Sequence, residues 1–440
     1  MAKFIIKGGN HLYGSVRVGG AKNASYKILL ASLLAHTPSR LLNIPQIAEV
    51  EFCADLIRSL GGKVERKGER MLSVDPQGLS QTHLSPEAGN FSRVAPMFLP
   101  ILLARFHEAW VPLPGGDKIG KRPLERHFAG LQALGAKLEV STTGIQAVLP
   151  QKKFTGATYR FEKNSHTGTE TVLLASVLAE GITILENAAV EPEVIDLVNF
   201  LTAMGAHIKL IRPRTWEIYG TPHLYGTIYK IMPDRNEVVS YACAALATKG
   251  DIVVENAREA DLLSFLPAVE NAGGGYQVGE FGIRFFYYQP LQATQITTSK
   301  HPGFMTDWQP LWAVVMATAH GVSEIHETVT QSRFQYSQAL SQMGTKLELF
   351  APQVAHPDAV YNFNLSDDEP NACHGLRIYG PSQFCGGEFY VSDLRSGATL
   401  ILAGLQSKDT TILNNIIQID RGYEKLDQRL RQLGADIKRL

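Results

Sequence analysis

Leu134-Gly-Ala-Lys-Leu-Glu139 is a phrase that this chain says six times. The other versions are Leu60-Gly-Gly-Lys-Val-Glu65, Met204-Gly-Ala-His-Ile-Lys209, Ala272-Gly-Gly-Gly-Tyr-Gln277, Met343-Gly-Thr-Lys-Leu-Glu348 and Leu433-Gly-Ala-Asp-Ile-Lys438. A glycine just past an apolar-periodic stretch stops a helix, and the alternating apolar and charged residues after it start a strand. The glycines fall at 61, 135, 205, 273, 344 and 434, with gaps of 74, 70, 68, 71 and 90 residues. Self-similarity at a near-constant spacing marks a repeated supersecondary unit.

A second signature precedes the first in every copy. Tyr26-Lys-Ile-Leu-Leu-Ala-Ser-Leu-Leu-Ala35 is matched by residues 97–106, 172–179, 241–248, 311–319 and 399–405, all nearly continuous apolar runs. A helix apolar all round is a buried helix. Between the two helices of each copy lies a strand-like run: Leu41–Pro45, Trp110–Pro114, Ile182–Asn187, Ile252–Asn256, Ser323–Glu327 and Thr411–Asn415. One unit is therefore βαβαββ-like, and buried helices separated by strands predict sheets packed outside a helical core. Six units divide into two domains of three, residues 22–231 and residues 1–21 plus 232–440. The β-rich start, Phe4 to Val18, is expected to pair with the C-terminal half. The long last gap maps to an insertion near 351–388, whose Ser366-Asp-Asp-Glu-Pro-Asn371 reads as a surface excursion.

Composition narrows the function classes. Lys plus Arg equals Asp plus Glu, 42 each, so no global field draws the chain to nucleic acid or a membrane. Four cysteines (Cys53, Cys243, Cys373, Cys385) without CxxC spacing argue against a zinc module or a disulfide framework, and no metal or cofactor is expected. No apolar run approaches the roughly 20 residues of a membrane helix. MAKFIIKGGN turns to Gly and Asn too early for a signal peptide, so a cytoplasmic protein is expected.

The chemistry collects where the buried helices begin. In order, these starts carry Lys22-Asn23, Ser92-Arg93, Thr167 with Thr169, Asn236-Glu237, Thr306-Asp307, and Asp393 with Arg395. Helix N-termini offer unpaired N–H groups and the positive end of the dipole. Taken singly, such residues cap helices or pair on surfaces; recurring at one topological position, they outline an anion site for phosphate and carboxylate. Asp307 is the acid among cations there, the natural proton acceptor. Arg333 and Arg421 precede the second helices of units five and six, where unit two has Arg122. That arginine closes a Gly- and Pro-rich basic loop, Pro112-Leu-Pro-Gly-Gly-Asp-Lys-Ile-Gly-Lys-Arg-Pro123, read as a mobile ligand loop with Asp117 alone among cations.

These residues resemble the enolpyruvyl transferase family. The matches are Gly19-Gly-Ala-Lys-Asn-Ala24, Arg93 ahead of Ala104-Arg105-Phe106, Pro114-Gly-Gly-Asp-Lys-Ile-Gly120 with Arg122-Pro123, Pro233-Asp-Arg235, His301-Pro-Gly-Phe-Met-Thr-Asp307, Ser332-Arg-Phe334, Asp393-Leu-Arg395 and Ile419-Asp-Arg-Gly-Tyr423. They run in order along nearly the whole chain. The resemblance implies the two-domain inside-out α/β barrel. It also implies transfer of enolpyruvate from phosphoenolpyruvate to the 3-hydroxyl of UDP-N-acetylglucosamine, a step of peptidoglycan precursor synthesis. It implies that Lys22 binds phosphate and assists proton transfer, that Asn23 holds the sugar nucleotide, and that Arg122, Arg395 and Arg421 clamp the donor. Asp307 then takes the acceptor proton, Arg93 and Arg333 join the charged cleft, and Pro123, Glu125, Arg126, Lys163 and Ser165 fall to the nucleotide side.

The departures are specific. Most family members carry Cys where this chain has Asp117, so Asp117 is read as a working general acid and the chain as insensitive to the thiol-alkylating epoxide fosfomycin. The usual Arg-Pro-Val-Asp-Leu-His is Arg122-Pro-Leu-Glu-Arg-His127 here, and Ser165-His-Thr-Gly-Thr169 also differs from the family. These changes leave open a paralogue that acts on another nucleoside or sugar. A non-catalytic UDP-sugar-binding regulator is disfavoured, because a binding module has no need of a base beside a phosphate site.

Overall fold

The computed structural model describes residues 2–91, 93–115 and 123–440. These form two compact units. Residues 20–115 and 123–232 make the N-terminal unit; residues 2–19 and 233–440 make the C-terminal unit. Each has its own core of buried apolar side chains.

The repeat has a plain physical basis. Six inner helices are built from the apolar runs: Lys22–Ala31, Leu99–Phe106, His166–Ser176, Arg235–Ala247, Gln309–Thr318 and Leu394–Gln406. Every residue of Arg235–Ala247 is buried, which an amphipathic helix would not survive. The six signature glycines all take left-handed backbone, with φ between 77° and 109°. That conformation ends a helix at little cost only where no Cβ is present.

The inner helices are covered by sheets of one design. In unit three, Thr158–Arg160 runs parallel to Ile182–Glu186, which pairs antiparallel with Thr215–Tyr219, itself paired with His207–Arg212. Units five and six repeat the order with Gln295–Thr297, Gly321–His326, Gly375–Gly380, Lys346–Phe350 and with Gly387–Tyr390, Thr410–Asn414, Lys3–Lys7, Asp436–Arg439. Unit two holds only Glu108–Pro112, Gly144–Val148 and Lys137–Val140 among the described residues.

Long-range strands complete the remaining sheets. Ile228–Lys230, at the end of unit three, lies parallel to Ser39–Leu42 of unit one and closes the N-terminal unit into a ring. Tyr13–Arg17 lies parallel to Asp251–Glu255 of unit four. Lys3–Lys7 lies in the sheet of unit six, so both of these N-terminal strands pair with strands of the C-terminal unit.

A recurring asparagine locks the parallel edge strand. Asn43, Asn187, Asn256 and Asn415 all have φ between 49° and 67° and follow the first strand of their units. Their Nδ2 atoms donate to the carbonyls of Ile231, Phe161, Val18 and Val391, the residue just past each edge strand, at 2.8–3.4 Å. Each bond fixes how the edge strand turns toward the next inner helix.

The 351–388 stretch needs correction. It is not one surface excursion: Gly375–Gly380 is an inner strand of its sheet, with Leu376 and Ile378 fully buried, and Gly387–Tyr390 opens unit six. The extra residues are confined to 351–374, the connection between two hairpin strands.

Candidate active site

Each unit carries its own set of charged residues at inner-helix starts. In the C-terminal unit the centre is Asp307, two residues before the Gln309–Thr318 helix. Its Oδ1 accepts from Arg333 Nη2 at 2.6 Å, and its Oδ2 from Arg395 Nε and Nη2 at 3.2 and 3.1 Å. The two guanidiniums are almost fully buried, whereas the Asp307 side chain keeps 22% exposure. The carboxylate is thus held on both oxygens by guanidiniums that are themselves buried. Hydrogen bonds between ionised partners are the strong ones, and the two oxygens of Asp307 are shared between two such donors.

Arg395 is fixed in turn. It is the second residue of its helix, whose cap Asp393 accepts from the Arg395 and Ser396 amides at 3.0 Å each. Its Nη1 donates to the Tyr423 hydroxyl at 3.1 Å, and Tyr423 meets Ser240 at 2.8 Å. Burial alone would lower the Arg395 guanidinium; Tyr423, Asp307 and Asp234 outweigh that and hold it above its ordinary value. Arg421, two residues from Tyr423, is buried and donates to Gln418 Oε1 at 3.0 Å. Arg333 stands in the turn ahead of the Tyr336–Gln342 helix.

Other charged helix starts in this unit serve the fold. Asp234 caps its helix through the Asn236 and Glu237 amides, Asn236 accepts from the Trp308 indole at 2.8 Å, and Glu237 pairs with Arg429 at 2.8 Å. For Asn236 and Glu237, scaffolding is therefore what the geometry shows.

In the N-terminal unit Lys22 opens its helix and pairs with Glu49 in the first turn of Ala48–Ser59. Asn23 follows, half-buried. Arg93 lies in the turn before the Ala95–Phe98 helical turn and Leu99–Phe106. Glu125 begins the Glu125–Ala133 helix and is exposed, with Pro123 just ahead of it. Arg126 Nη1 reaches the carbonyl of Asn164 at 3.5 Å, which brings it to the segment of Lys163 and Ser165. Ser165 caps the His166–Ser176 helix, its hydroxyl accepting from the Gly168 amide at 3.1 Å. Asp117 and Arg122, singled out from the sequence, lie outside the described residues.

One charged pair escaped the sequence reading. Lys27 Nζ and Glu170 Oε2 are 2.6 Å apart in the interior, with 2% and 0% exposure. His166 Nε2 lies 3.3 Å from the other Glu170 oxygen. The signal was a lysine inside Tyr26-Lys-Ile-Leu-Leu30 and a glutamate inside Thr169-Glu-Thr-Val172: two charges in two apolar helices, each needing the other.

The sequence matches the EPSP synthase (3-phosphoshikimate 1-carboxyvinyltransferase) family over residues 6–430. The chain belongs to that family. Among its relatives, the UDP-N-acetylglucosamine 1-carboxyvinyltransferase 3 of Caldanaerobacter subterraneus subsp. tengcongensis is 38% identical, with 100% of both chains covered. The UDP-N-acetylglucosamine 1-carboxyvinyltransferase of Chlamydia abortus is also 38% identical, over 99% of this chain and 98% of its own. The enolpyruvyl transferase NikO from Streptomyces tendae shares the fold at a TM-score of 0.84 and 23% identity, covering 100% of this chain and 98% of that one. EPSP synthase from Acinetobacter baumannii superposes at 0.72 with 17% identity and complete coverage of both. The inside-out α/β fold that the family resemblance implied is the one the chain shares with these solved enolpyruvyl transferases. No helix among the described residues is long and apolar enough to cross a membrane.

Proposed function

We propose that this protein transfers the enolpyruvyl group of phosphoenolpyruvate to the 3-hydroxyl of UDP-N-acetylglucosamine and releases phosphate. What carries the reading is Asp307: a carboxylate held on both oxygens by buried arginines and itself 22% exposed. Full-length relatives named for this activity supply the substrates. The setting proposed is the cytoplasm, at the entry to peptidoglycan precursor synthesis.

The chemistry suits the residues. The donor takes a proton at C3 while the acceptor oxygen adds to C2, and Asp307 receives the hydroxyl proton as that bond forms. Phosphate then leaves C2, a proton leaves C3, and the vinyl double bond is restored, so the reaction is redox-neutral. Arg122, Arg395 and Arg421 bind the donor's carboxylate and phosphate, and Lys22 neutralises charge that grows on the departing phosphate. Asp117 and Lys22 are the candidates for the C3 proton. Asn23, Arg93, Pro123, Glu125, Arg126, Lys163, Ser165 and Arg333 orient the acceptor.

The test is phosphate release from phosphoenolpyruvate against a panel of nucleotide sugars. Turnover with UDP-N-acetylglucosamine supports the proposal. Turnover with another acceptor alone would replace it by the paralogue reading that Glu125 and Arg126 favour, and no release with any acceptor overturns both. Asp117→Cys should convert a fosfomycin-resistant enzyme into one inactivated by the epoxide, measured as time-dependent loss of turnover.

A further inference from the structure

The extra residues 351–374 occupy one particular place. Elsewhere the two hairpin strands of a unit are joined by short turns, 67–70, 141–143, 213–214 and 280–281. In unit five the longer connection leaves Phe350 and returns at Gly375, opposite His326 at the end of Gly321–His326. Glu327–Arg333 begins there, and it ends on the guanidinium that holds Asp307.

The connection is docked on that segment residue by residue. His374 O accepts from the Glu327 amide at 2.8 Å, and the Asn362 amide donates to Thr328 O at 2.8 Å. The Tyr361 hydroxyl meets His326 Nε2 at 3.1 Å, and Gln331 Nε2 donates to Asp367 O. The connection has a small core of its own: the rings of Tyr361, Phe363 and His374 pack with centroids 4.9–5.1 Å apart and are buried. Asp368 fixes the His374 ring at 2.7 Å. Glu327 stands where units one, three, four and six have the strand-locking asparagine. It instead caps the Val329 and Thr330 amides at 2.8 and 2.9 Å and accepts from Thr306, the neighbour of Asp307, at 2.9 Å.

We propose that residues 351–374 are a clamp that positions the Thr328–Arg333 loop, and through Arg333 the orientation of Asp307 toward the acceptor hydroxyl. Tyr361, Asp368 and His374 are positioning residues: they act on the acceptor side, because the donor-side grip on Asp307 comes from Arg395. The kinetic part of this inference rests on the transferase reading; the mechanical part does not.

Two measurements on the full chain test it. Amide exchange in the ligand-free protein should quicken about 10-fold at Thr328–Arg333 in a Tyr361→Phe, Asp368→Asn double variant, with the 213–214 and 280–281 turns unchanged. Steady-state kinetics of the same variant should show acceptor KM raised about 5- to 10-fold and donor KM within about 2-fold. His374→Ala should behave alike, and His374→Gln, which keeps a donor toward Asp368, should recover most of the loss. Unchanged exchange overturns the clamp, as does faster exchange with donor and acceptor constants moving equally. If the wild-type protein releases no phosphate with any acceptor, the transferase reading is what fails, and exchange alone decides the clamp.

Discussion

The two units spend charge differently. The N-terminal unit sinks Lys27 and Glu170 into its core, at 2% and 0% exposure, where no substrate can meet them. The C-terminal unit also buries a structural pair, Glu237 with Arg429, but it sets Asp307 at a helix start with 22% of its side chain exposed and its two arginines buried. A fully desolvated pair must recover its solvation from its own Coulomb attraction, so it bears on stability and specificity of fold. A partly exposed acid held by buried cations has its orientation set in advance. The same scaffold, repeated, therefore holds buried ion pairs in both halves and, at Asp307, a partly exposed one that we propose for chemistry.

Substitutions can break that contrast. The largest effect is expected from Asp307→Asn: kcat/KM for phosphate release should fall about 1,000-fold, within the range of a lost general base, with Tm little changed. Lys27→Met should do the reverse, leaving Glu170 buried without its cation. Unfolding free energy should drop by about 3–5 kcal/mol, and adding Glu170→Leu should recover more than half of it in denaturant titrations. If Lys27→Met instead removed activity from a stable protein, the contrast between the Lys27–Glu170 pair and Asp307 would be wrong.

Two smaller effects sharpen the comparison. Ser165→Ala removes the hydroxyl that caps His166–Ser176 and should cost about 1 kcal/mol of stability, the usual value of a lost cap. Any acceptor-binding role of Ser165 would appear on top as a raised acceptor KM. The last is a pH effect. Burial, then the nearby His374, lowers the His326 imidazole below its ordinary value. Between about 6.5 and that lowered value the unfolded chain binds a proton that the folded protein refuses. Stability is therefore full above this window and declines as pH falls through it. The groups that face His326 include Tyr361 and His374, and Asp368 holds His374 in turn, so His326→Gln should flatten, not abolish, the decline in Tm measured from pH 7 to pH 5.

The placement of much of the candidate site was legible because its residues recur. Asp307, Arg395 and Lys22 could be picked out as polar residues at the starts of apolar helices, and that position was correct for each. What the pattern could not separate was chemistry from scaffolding. Asn236 and Glu237 sit at the same kind of start, yet Trp308 and Arg429 claim them. Those partners lie 72 and 192 residues away in sequence, beyond any local pattern. The 351–388 stretch was misjudged for a similar reason. Its Asp, Asn and Pro content describes a loop, while the burial of Tyr361, Phe363 and His374 depends on the segment they pack against.

The sequence by itself determined the repeat, the inner helices and their ends. Those depend on apolar runs and on glycines with positive φ, which act within one or two turns of chain. Only the tertiary structure decided that Ile228–Lys230 closes the first ring on Ser39–Leu42, that four asparagines lock the edge strands, and that Arg333 and Arg395 converge on one carboxylate. Each joins residues far apart in the chain, and contacts of that kind are set by which surfaces pack together, not by the order of residues on either side.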